Sequence, residues 1–288
     1  MYSAVAAQEA HSALHSFRFA TKQNSAMAFS RARRPGRALH WTLVEPELER
    51  RLRSPAPSGT SVVLGSTPVP AFGDFTTARV ATLGLNPSRA EFLARSGVLL
   101  AGDQARFVTL PALRLTSLGD ASHDALAEVV EGTRRYFQKQ PYLGWFGRLD
   151  ALLRVAGATY FDGSACHLDL AHWATDPVWA KLDSTARKAL VDDGVDFLRW
   201  QLTTFRISHV LLNGRGVCRE VERRLGVTLS EVESIPGPIG KPAQLYAGRL
   251  PNGPGFIGWS VNLQSSFGVT KEFSQRLATR VSDHLRDS

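Results

Sequence analysis

The stretch ARVATLGLNPS (78–88) predicts a buried β-strand that runs directly into a turn. A short apolar run of this kind is typical of a strand covered on both faces of a parallel sheet. Pro87 lacks an amide hydrogen and has a fixed φ, so it holds Asn86 rigidly where the strand ends. The motif GLNPS (84–88) is the strongest functional signal in the chain, although an Asn-Pro turn also occurs in many proteins without a catalytic role.

Strand patterns and helical patterns alternate along the rest of the chain. Further strands are predicted at ACHLDLA (165–171), ISHVLLNG (207–214) and GFIGWSVNL (255–263), and helices over 123–138, 144–156, 184–204, 215–225 and 270–286. This alternation predicts a parallel sheet with helices on both faces. We therefore expect an α/β fold, a three-layer α/β/α sandwich around a four-stranded parallel sheet, as a single domain over residues 38–288.

The charge is concentrated at the N-terminus. The chain has 34 Lys and Arg against 26 Asp and Glu, a net charge of +8. Residues 1–37 contain six of these basic residues and one acidic residue, Glu9, and they lack a sustained apolar period. We expect a flexible basic arm. An excess of basic residues favours a polyanionic partner such as DNA. The alternative is that the arm is merely solvated and has no binding role, on a body that is nearly neutral.

Composition excludes several classes of protein. The two cysteines, Cys166 and Cys218, are too few for a disulfide framework, a four-thiolate zinc site or a cysteine-ligated iron–sulfur cluster. No apolar run is long enough to span a membrane, and the N-terminus has no apolar core of a secretory signal. We expect a cytoplasmic protein that is a monomer, has no membrane partner and needs no cofactor or metal.

Polar residues follow each predicted strand. In a parallel α/β sheet, functional groups lie just past the carboxyl ends of the strands. Here those positions hold Asn86, Ser88, Asp169, Asn213, Asn262, Gln264, Ser265 and Ser266. Polar residues at four strand ends predict a site along that edge of the sheet.

Two other patterns have weaker functional interpretations. GRGVCR (214–219) resembles a dinucleotide-binding fingerprint, but Arg219 replaces the third glycine. A tight strand-to-helix turn is therefore favoured, and the amides of such a turn could face a phosphate. His167 and His172, with Asp169 and Cys166, resemble metal ligands. Their odd spacing on a strand places the two histidines on opposite faces, which argues against a metal site.

A cluster of aromatic residues occupies the middle of the chain. It comprises Tyr136, Phe137, Tyr142, Trp145 and Phe146. Such residues more often form core than a ligand platform, while a base could stack on an exposed ring.

Four segments together resemble the uracil-DNA glycosylase superfamily, over roughly residues 70–286. GLNPS is similar to its first motif, which reads Gly-hydrophobic-Asn-Pro-Gly in the mismatch-specific and thymine-DNA branches. LDLAHWATDP (168–177) resembles the second-strand segment that supplies an Asn to the base pocket. FLRWQLTTFRISHVLLNGRGV (197–217) resembles a helix and strand that end in Gly. VNLQSSFG (261–268) occupies the place of the final His-containing loop.

The resemblance implies a monofunctional DNA glycosylase, which flips a nucleotide out of DNA and hydrolyses its N-glycosidic bond. Asn86 would be the catalytic, water-positioning residue. The base-binding residues would be Leu85, Ser88, Phe92, Asp169 and Asn213. The DNA-binding residues would be Pro87, Gly214, Arg215, Asn262, Gln264, Ser265, Ser266 and Phe267.

Departures from the family pattern bear on specificity. Asn86 stands where uracil-excising members have Asp, and the final loop lacks its His, so Asn262 or Gln264 would have to replace it. Ser88 stands where uracil-specific members have a bulky Tyr, which leaves room at C5 of the base. Asp169 aligns with the pocket Asn, and a carboxylate only accepts hydrogen bonds, which suits the amino group of cytosine.

These departures favour a C5-modified cytosine over uracil or thymine. Some relatives remove modified phage bases, which makes antiviral defence one setting for such an activity. Two other classes of function stay open: a non-catalytic nucleic-acid-binding module on the same fold, and a small-molecule α/β hydrolase.

Overall fold

The computed structural model describes residues 46–264 and 267–286 of the 288-residue chain. In that part of the chain the elements are, in order, α1 (Pro46–Arg53), β1 (Val80–Gly84), α2 (His123–Arg134), α3 (Leu143–Val155), β2 (Ala165–Asp169), α4 (Ser184–Thr204), β3 (His209–Asn213), α5 (Arg215–Leu225), β4 (Ser230–Ile235), β5 (Ala243–Arg249), β6 (Gly255–Trp259) and α6 (Lys271–Arg286). The predicted basic arm, residues 1–37, lies outside the described residues.

The strands form one mixed sheet in the order β2-β1-β3-β6-β5-β4. The four predicted strands are present and run parallel as β2, β1, β3 and β6. The expectation of a four-stranded sheet is wrong, because β5 pairs antiparallel with β6 and β4 pairs antiparallel with β5. The sequence of β4, SEVESI, gives little apolar signal because this edge strand is largely exposed to solvent.

Helices cover both faces of the sheet. Leu211 of β3 belongs to a core cluster with residues of α3 and α6, including Leu153 and Leu277. On the other face Gly258 of β6 lies against Cys218 of α5, at a distance that a larger residue would not permit. Since successive residues of a strand point to opposite faces, the sheet is enclosed between two helical layers. Residues 43–288 form one compact unit.

The predicted helix boundaries are mostly confirmed. Helix α5 ends at Gly226, which adopts a left-handed conformation with φ 67°. The predicted helix over 123–138 is interrupted, because α2 ends at Arg134 and a short 3₁₀ turn follows at Tyr136–Gln138. The N-cap of α4 is Asp183, whose carboxylate accepts a hydrogen bond of 2.8 Å from the amide of Ala186.

The topology places four strand ends at one edge of the sheet. Because β2, β1, β3 and β6 are parallel, the turns that follow them lie side by side. Among the described helices, none has the length and apolar character needed to cross a lipid bilayer.

Candidate active site

A cavity of about 250 Å³ lies at the carboxyl ends of β1 and β2. Its wall is formed by the GLNPS turn, the end of β2, the start of α3 and the segment 175–180. Its polar lining residues are Asn86, Ser88, Arg89, Glu91, His167, Asp169 and Thr175, and its aromatic ones are Phe72, Trp145, Phe146 and Trp179. The predicted site residues Asn86, Pro87, Ser88 and Asp169 therefore share one cavity.

Asn86 is held in a single orientation at the wall of the cavity. Its side-chain nitrogen donates one hydrogen bond to the carbonyl oxygen of Trp173 and one to Oγ1 of Thr175, both at 3.2 Å. These two bonds use both amide hydrogens. Oδ1 remains as the acceptor through which Asn86 can hold a water molecule.

Asp169 and His167 alternate on β2 and therefore point to the same face. Asp169 is 2% exposed, and neither of its carboxylate oxygens has a hydrogen-bond partner among the described residues. Nε2 of His167 lies 3.4 Å from Oδ1 of Asp169. A buried carboxylate without a hydrogen bond is costly, which indicates that this wall of the cavity is built to accept a donor from a ligand.

The ring of His167 is held by a chain of two hydroxyl groups. Its Nδ1 lies 2.7 Å from Oγ1 of Thr82, which in turn lies 2.6 Å from the hydroxyl oxygen of Tyr160. The sequence pattern suggested His167 only as a metal ligand. The two-residue spacing from Asp169 on a strand is the signal that could have placed it in the pocket instead.

Glu91 is a second buried carboxyl group on the cavity wall. It is 2% exposed, and its Oε2 accepts a hydrogen bond of 2.7 Å from the hydroxyl of Tyr136. Burial raises the pKa of Glu91 to about 7, against the lowering effects of Tyr136 and Arg106 and with a further raising effect of Asp169. Sequence reasoning missed Glu91; the signal was a charged residue directly before an apolar pair at the end of SRAE (88–91).

The rim of the cavity carries a small side chain and an ion pair. Oγ of Ser88 accepts a hydrogen bond of 3.2 Å from the amide of Ala90 and so caps the short 3₁₀ turn. Arg89 pairs with Asp176 at 2.7 Å. The oxygen of Ser88 is thereby engaged as an acceptor, and the small volume of this side chain leaves the rim open.

Two residues predicted to bind the base lie elsewhere. Phe92 is buried in the aromatic core, where its ring stacks on Phe107 with 5.5 Å between centroids. Leu85 lines a separate cavity of about 750 Å³. Leu85 precedes the four consecutive residues 86–89 that line the 250 Å³ cavity, and Phe92 follows the 3₁₀ turn at Arg89–Glu91 and points into the core.

Asn213 organises the final loop and is absent from the lining of the cavity. Its Oδ1 accepts hydrogen bonds from Nε1 of Trp259 at 3.1 Å and from the amide of Leu263 at 3.0 Å. Its side-chain nitrogen donates to Oδ1 of Asn262 and to Oε1 of Gln264. The side chain of Asn213, which was predicted to bind a base, is thus engaged in a network within the protein.

The same network occupies the two residues expected to replace the missing His. Nε2 of Gln264 donates to the carbonyl oxygen of Trp145 at 3.0 Å, so both ends of this amide are engaged. Oδ1 of Asn262 accepts from the amide of Gln264 at 2.8 Å. These side chains stabilise the loop and neither lines the cavity.

The remaining predicted DNA-binding residues surround this loop. Gly214 connects β3 to α5 with φ 98°, a conformation that favours glycine, so the predicted tight turn is confirmed. The guanidinium of Arg215 lies over the ring of Tyr246, 4.5 Å from its centroid. Phe267 is 79% exposed. Ser265 and Ser266 lie outside the described residues.

The two histidines weighed as metal ligands are separated. His172 is buried against Phe197, and burial lowers its pKa well below the usual range. In the described ranges no group of three or more His, Cys, Asp or Glu is arranged to hold a metal ion.

Most of the aromatic residues weighed as a ligand platform are core. Tyr136, Phe137 and Phe146 are buried in the main core cluster, and Phe146 also forms part of the cavity wall. Trp145 is half-buried and lines the cavity as well, so the structure uses this cluster in both ways.

Comparison with protein-family models gives no match, and comparison with curated proteins gives no significant match. Function must therefore be inferred from the geometry of the site.

Proposed function

We propose that the chain is a monofunctional DNA glycosylase that flips out a C5-substituted cytosine and hydrolyses its N-glycosidic bond, leaving an abasic site. One observation supports this proposal above the others. A rigidly held amide, Asn86, and a buried carboxylate that accepts no hydrogen bond, Asp169, line the same small cavity at the carboxyl ends of parallel strands.

The cavity suits a single planar heterocycle. Its volume of about 250 Å³ is below the range of roughly 300–1,000 Å³ that is typical of sites for drug-sized ligands. Phe72, Trp145 and Phe146 give it aromatic walls. A base can reach such a cavity only after it leaves the helical stack, so base flipping is part of the proposal.

The proposed chemistry is hydrolysis through a sugar cation. As the bond between C1′ and the base breaks, positive charge develops on the deoxyribose. A water molecule that donates a hydrogen bond to Oδ1 of Asn86 is aligned to form the new bond to C1′. An amide oxygen orients water but hardly removes its proton, so the water acts late, when the cationic C1′ needs little help from a base.

Specificity is assigned to Asp169 and Ser88. The carboxylate oxygens of Asp169 accept hydrogen bonds only, which matches the exocyclic amino group of cytosine and disfavours the O4 atom of uracil. Ser88 is a small residue whose Oγ accepts a hydrogen bond from the amide of Ala90, so it offers space beside C5 of the base.

DNA is the proposed partner. Arg89 at the rim and the exposed ring of Phe267 lie on elements that follow strand ends, and the basic residues of 1–37 would add attraction to phosphates. We infer an intracellular enzyme that needs no cofactor, because hydrolysis requires only water and the groups described.

The test is incubation of the purified chain with duplex oligonucleotides that carry uracil, thymine, cytosine, 5-methylcytosine or 5-hydroxymethylcytosine at one position. Alkali then cleaves at any abasic site, and mass spectrometry identifies the released base. Release of a cytosine derivative by the wild type but not by Asn86→Ala supports the proposal. DNA binding without base release would favour a non-catalytic module, and absence of both would favour a small-molecule hydrolase.

A further inference from the structure

We propose that Glu91 is the second base-contacting residue of this site and that, as a neutral carboxylic acid, it donates its proton to N3 of the departing cytosine. This role rests on the proposed glycosylase function and deepens it. It would make Glu91 a catalytic residue and a determinant of specificity for cytosine.

The position of Glu91 supports direct contact with a base. The side chain lines the same cavity as Asn86 and Asp169 and is almost fully buried. The hydroxyl of Tyr136 donates to Oε2 and is itself held by the amide of Tyr142 at 2.9 Å, so the carboxyl group is fixed in place. Oε1 is the oxygen left to meet a ligand.

The two described residues of the final loop that were expected to fill this role do not reach the cavity. Asn262 and Gln264 are tied to Asn213, to each other and to the carbonyl oxygen of Trp145, and neither side chain lines the cavity. Glu91, on another wall, is a hydrogen-bonding side chain already placed to stabilise the departing base.

The surroundings of Glu91 favour the neutral acid near neutral pH. Burial raises its pKa to about 7, and the negative charge of Asp169 on β2 adds to this effect. The hydrogen bond from Tyr136 and the positive charge of Arg106 oppose it. His167 and Arg89 are the other titratable or charged groups that line the cavity.

Two carboxyl groups in different protonation states can distinguish cytosine from uracil. Cytosine presents an amino donor beside the N3 acceptor, while uracil presents the O4 acceptor beside the N3–H donor. The carboxylate oxygens of Asp169, which accept no hydrogen bond within the protein, can accept from the amino group, and a protonated Glu91 donates to N3. The same pair would leave both groups mismatched against uracil, which disfavours its binding.

The proton and electron balance is complete with water as the only co-reactant. Glu91 gives its proton to N3 while the bond between C1′ and N1 breaks, and the bonding electron pair stays with the base, which leaves as neutral cytosine. The water oxygen forms the new bond to C1′. The proton that this water loses returns through solvent to the Glu91 carboxylate, so the enzyme is regenerated.

The experiment measures single-turnover release of 5-hydroxymethylcytosine from duplex DNA across a range of pH. The variants are Glu91→Gln, which keeps a hydrogen-bond donor but cannot transfer a proton, and Tyr136→Phe. Glu128→Gln is the matched control, because Glu128 is an exposed glutamate on α2. Thermal unfolding of each variant verifies that it is folded.

We expect the wild-type rate to be level at acidic pH and to fall about tenfold per pH unit above the titration of Glu91. Glu91→Gln should lose about 10²- to 10⁴-fold in rate at acidic pH and lose this decline with pH. Tyr136→Phe should move the decline to higher pH, since the hydroxyl of Tyr136 stabilises the carboxylate. Glu128→Gln should match the wild type.

A Glu91→Gln variant with a wild-type rate, or one that keeps the same decline with pH, would overturn the role of Glu91. A Tyr136→Phe variant whose decline stays in place would overturn it independently, even if Glu91→Gln did not fold. Failure of the wild type to release any base would instead reject the glycosylase function itself, and the role of Glu91 with it.

Discussion

Gly84 and Asp169 are register partners at the ends of β1 and β2, and the carboxylate of Asp169 fills the space where a side chain at position 84 would begin. A Cβ atom at Gly84 would overlap Oδ1 of Asp169 and would lie 3.0 Å from Nε2 of His167. The glycine of the GLNPS motif thus provides room for the polar wall of the cavity.

Gly84→Ala should therefore damage the site more than the fold. The added methyl group must displace the Asp169 carboxylate, at a cost of about 1–3 kcal/mol in unfolding free energy. Single-turnover base release should drop at least about tenfold, because a displaced carboxylate no longer meets the base. The control is Gly147→Ala on α3, where a Cβ meets no atom within 4 Å and helix propensity should raise stability by roughly 0.5–1 kcal/mol. Equal activities of the two variants would contradict the assignment of Gly84.

Asn86→Ala should fold normally and lose about 10²-fold or more of base release, because it removes the group that orients water.

Thr175→Val tests the orientation of the Asn86 amide. The change preserves shape but removes the Oγ1 acceptor, and the bond to the carbonyl oxygen of Trp173 remains. A loss of about fivefold is expected for one hydrogen bond of ~1 kcal/mol. Single-turnover rates and melting temperatures measure both effects, and a fully active Asn86→Ala would exclude Asn86 as the water-positioning residue.

Asp169→Asn should shift preference from a C5-substituted cytosine toward uracil or thymine. The amide supplies a donor that the carboxylate lacks, and a mismatched buried polar group costs roughly 1–3 kcal/mol, or about 5- to 150-fold in relative rate. The measurement is the ratio of single-turnover rates on 5-hydroxymethylcytosine and uracil substrates. A wild type that prefers uracil to every cytosine derivative would refute this pairing while leaving the glycosylase function in place.

Ser88→Tyr should reject bulky C5 substituents and spare unmodified bases. The aromatic ring would fill the rim beside Asn86, where Ser88 now occupies little volume. Ser88→Ala is the matched control, because it removes only the hydroxyl that caps the 3₁₀ turn. Rates on cytosine derivatives of increasing C5 size should separate the two variants. A uniform loss across all bases would indicate a distorted turn rather than a steric filter.

Phe267→Ala should weaken base release from duplex DNA more than from single-stranded DNA. An exposed apolar ring on the segment between β6 and α6 can insert between stacked bases, and a loss of about tenfold on duplex substrate is expected. Phe161→Ala is the control, since Phe161 precedes β2 at the opposite edge of the sheet and is also partly exposed. Equal losses on both kinds of DNA would argue against an inserting role.

The raised pKa of Glu91 should also appear in stability. Between its ordinary pKa of 4.5 and about 7, the folded chain keeps a proton that the unfolded chain releases. The unfolding free energy should therefore decline as pH rises through this window, by about 3 kcal/mol in total for this one group. Denaturant unfolding of the wild type and Glu91→Gln across the window measures the difference. Parallel stability curves would show that Glu91 titrates normally in the folded chain.

The sequence by itself determined the four parallel strands and the edge at which polar residues gather. Apolar runs such as 78–85 and 207–212 are local signals, and the two-residue period of a strand determines which side chains share a face. The helices over 184–204 and 215–225 are also local patterns, because their apolar residues recur with the period of a helix.

Only the tertiary structure decided which polar residues meet. Asn213 is the last residue of β3, as Asp169 is of β2. The indole of Trp259 donates a hydrogen bond to Asn213 outside the cavity, whereas the hydroxyl of Tyr136 donates one to Glu91 at the cavity wall. Strands β4 and β5 were likewise not predicted from the sequence. The same physical reason explains both cases. An edge strand and a buried hydrogen bond depend on partners distant in the chain, and local periodicity does not indicate which partners those are.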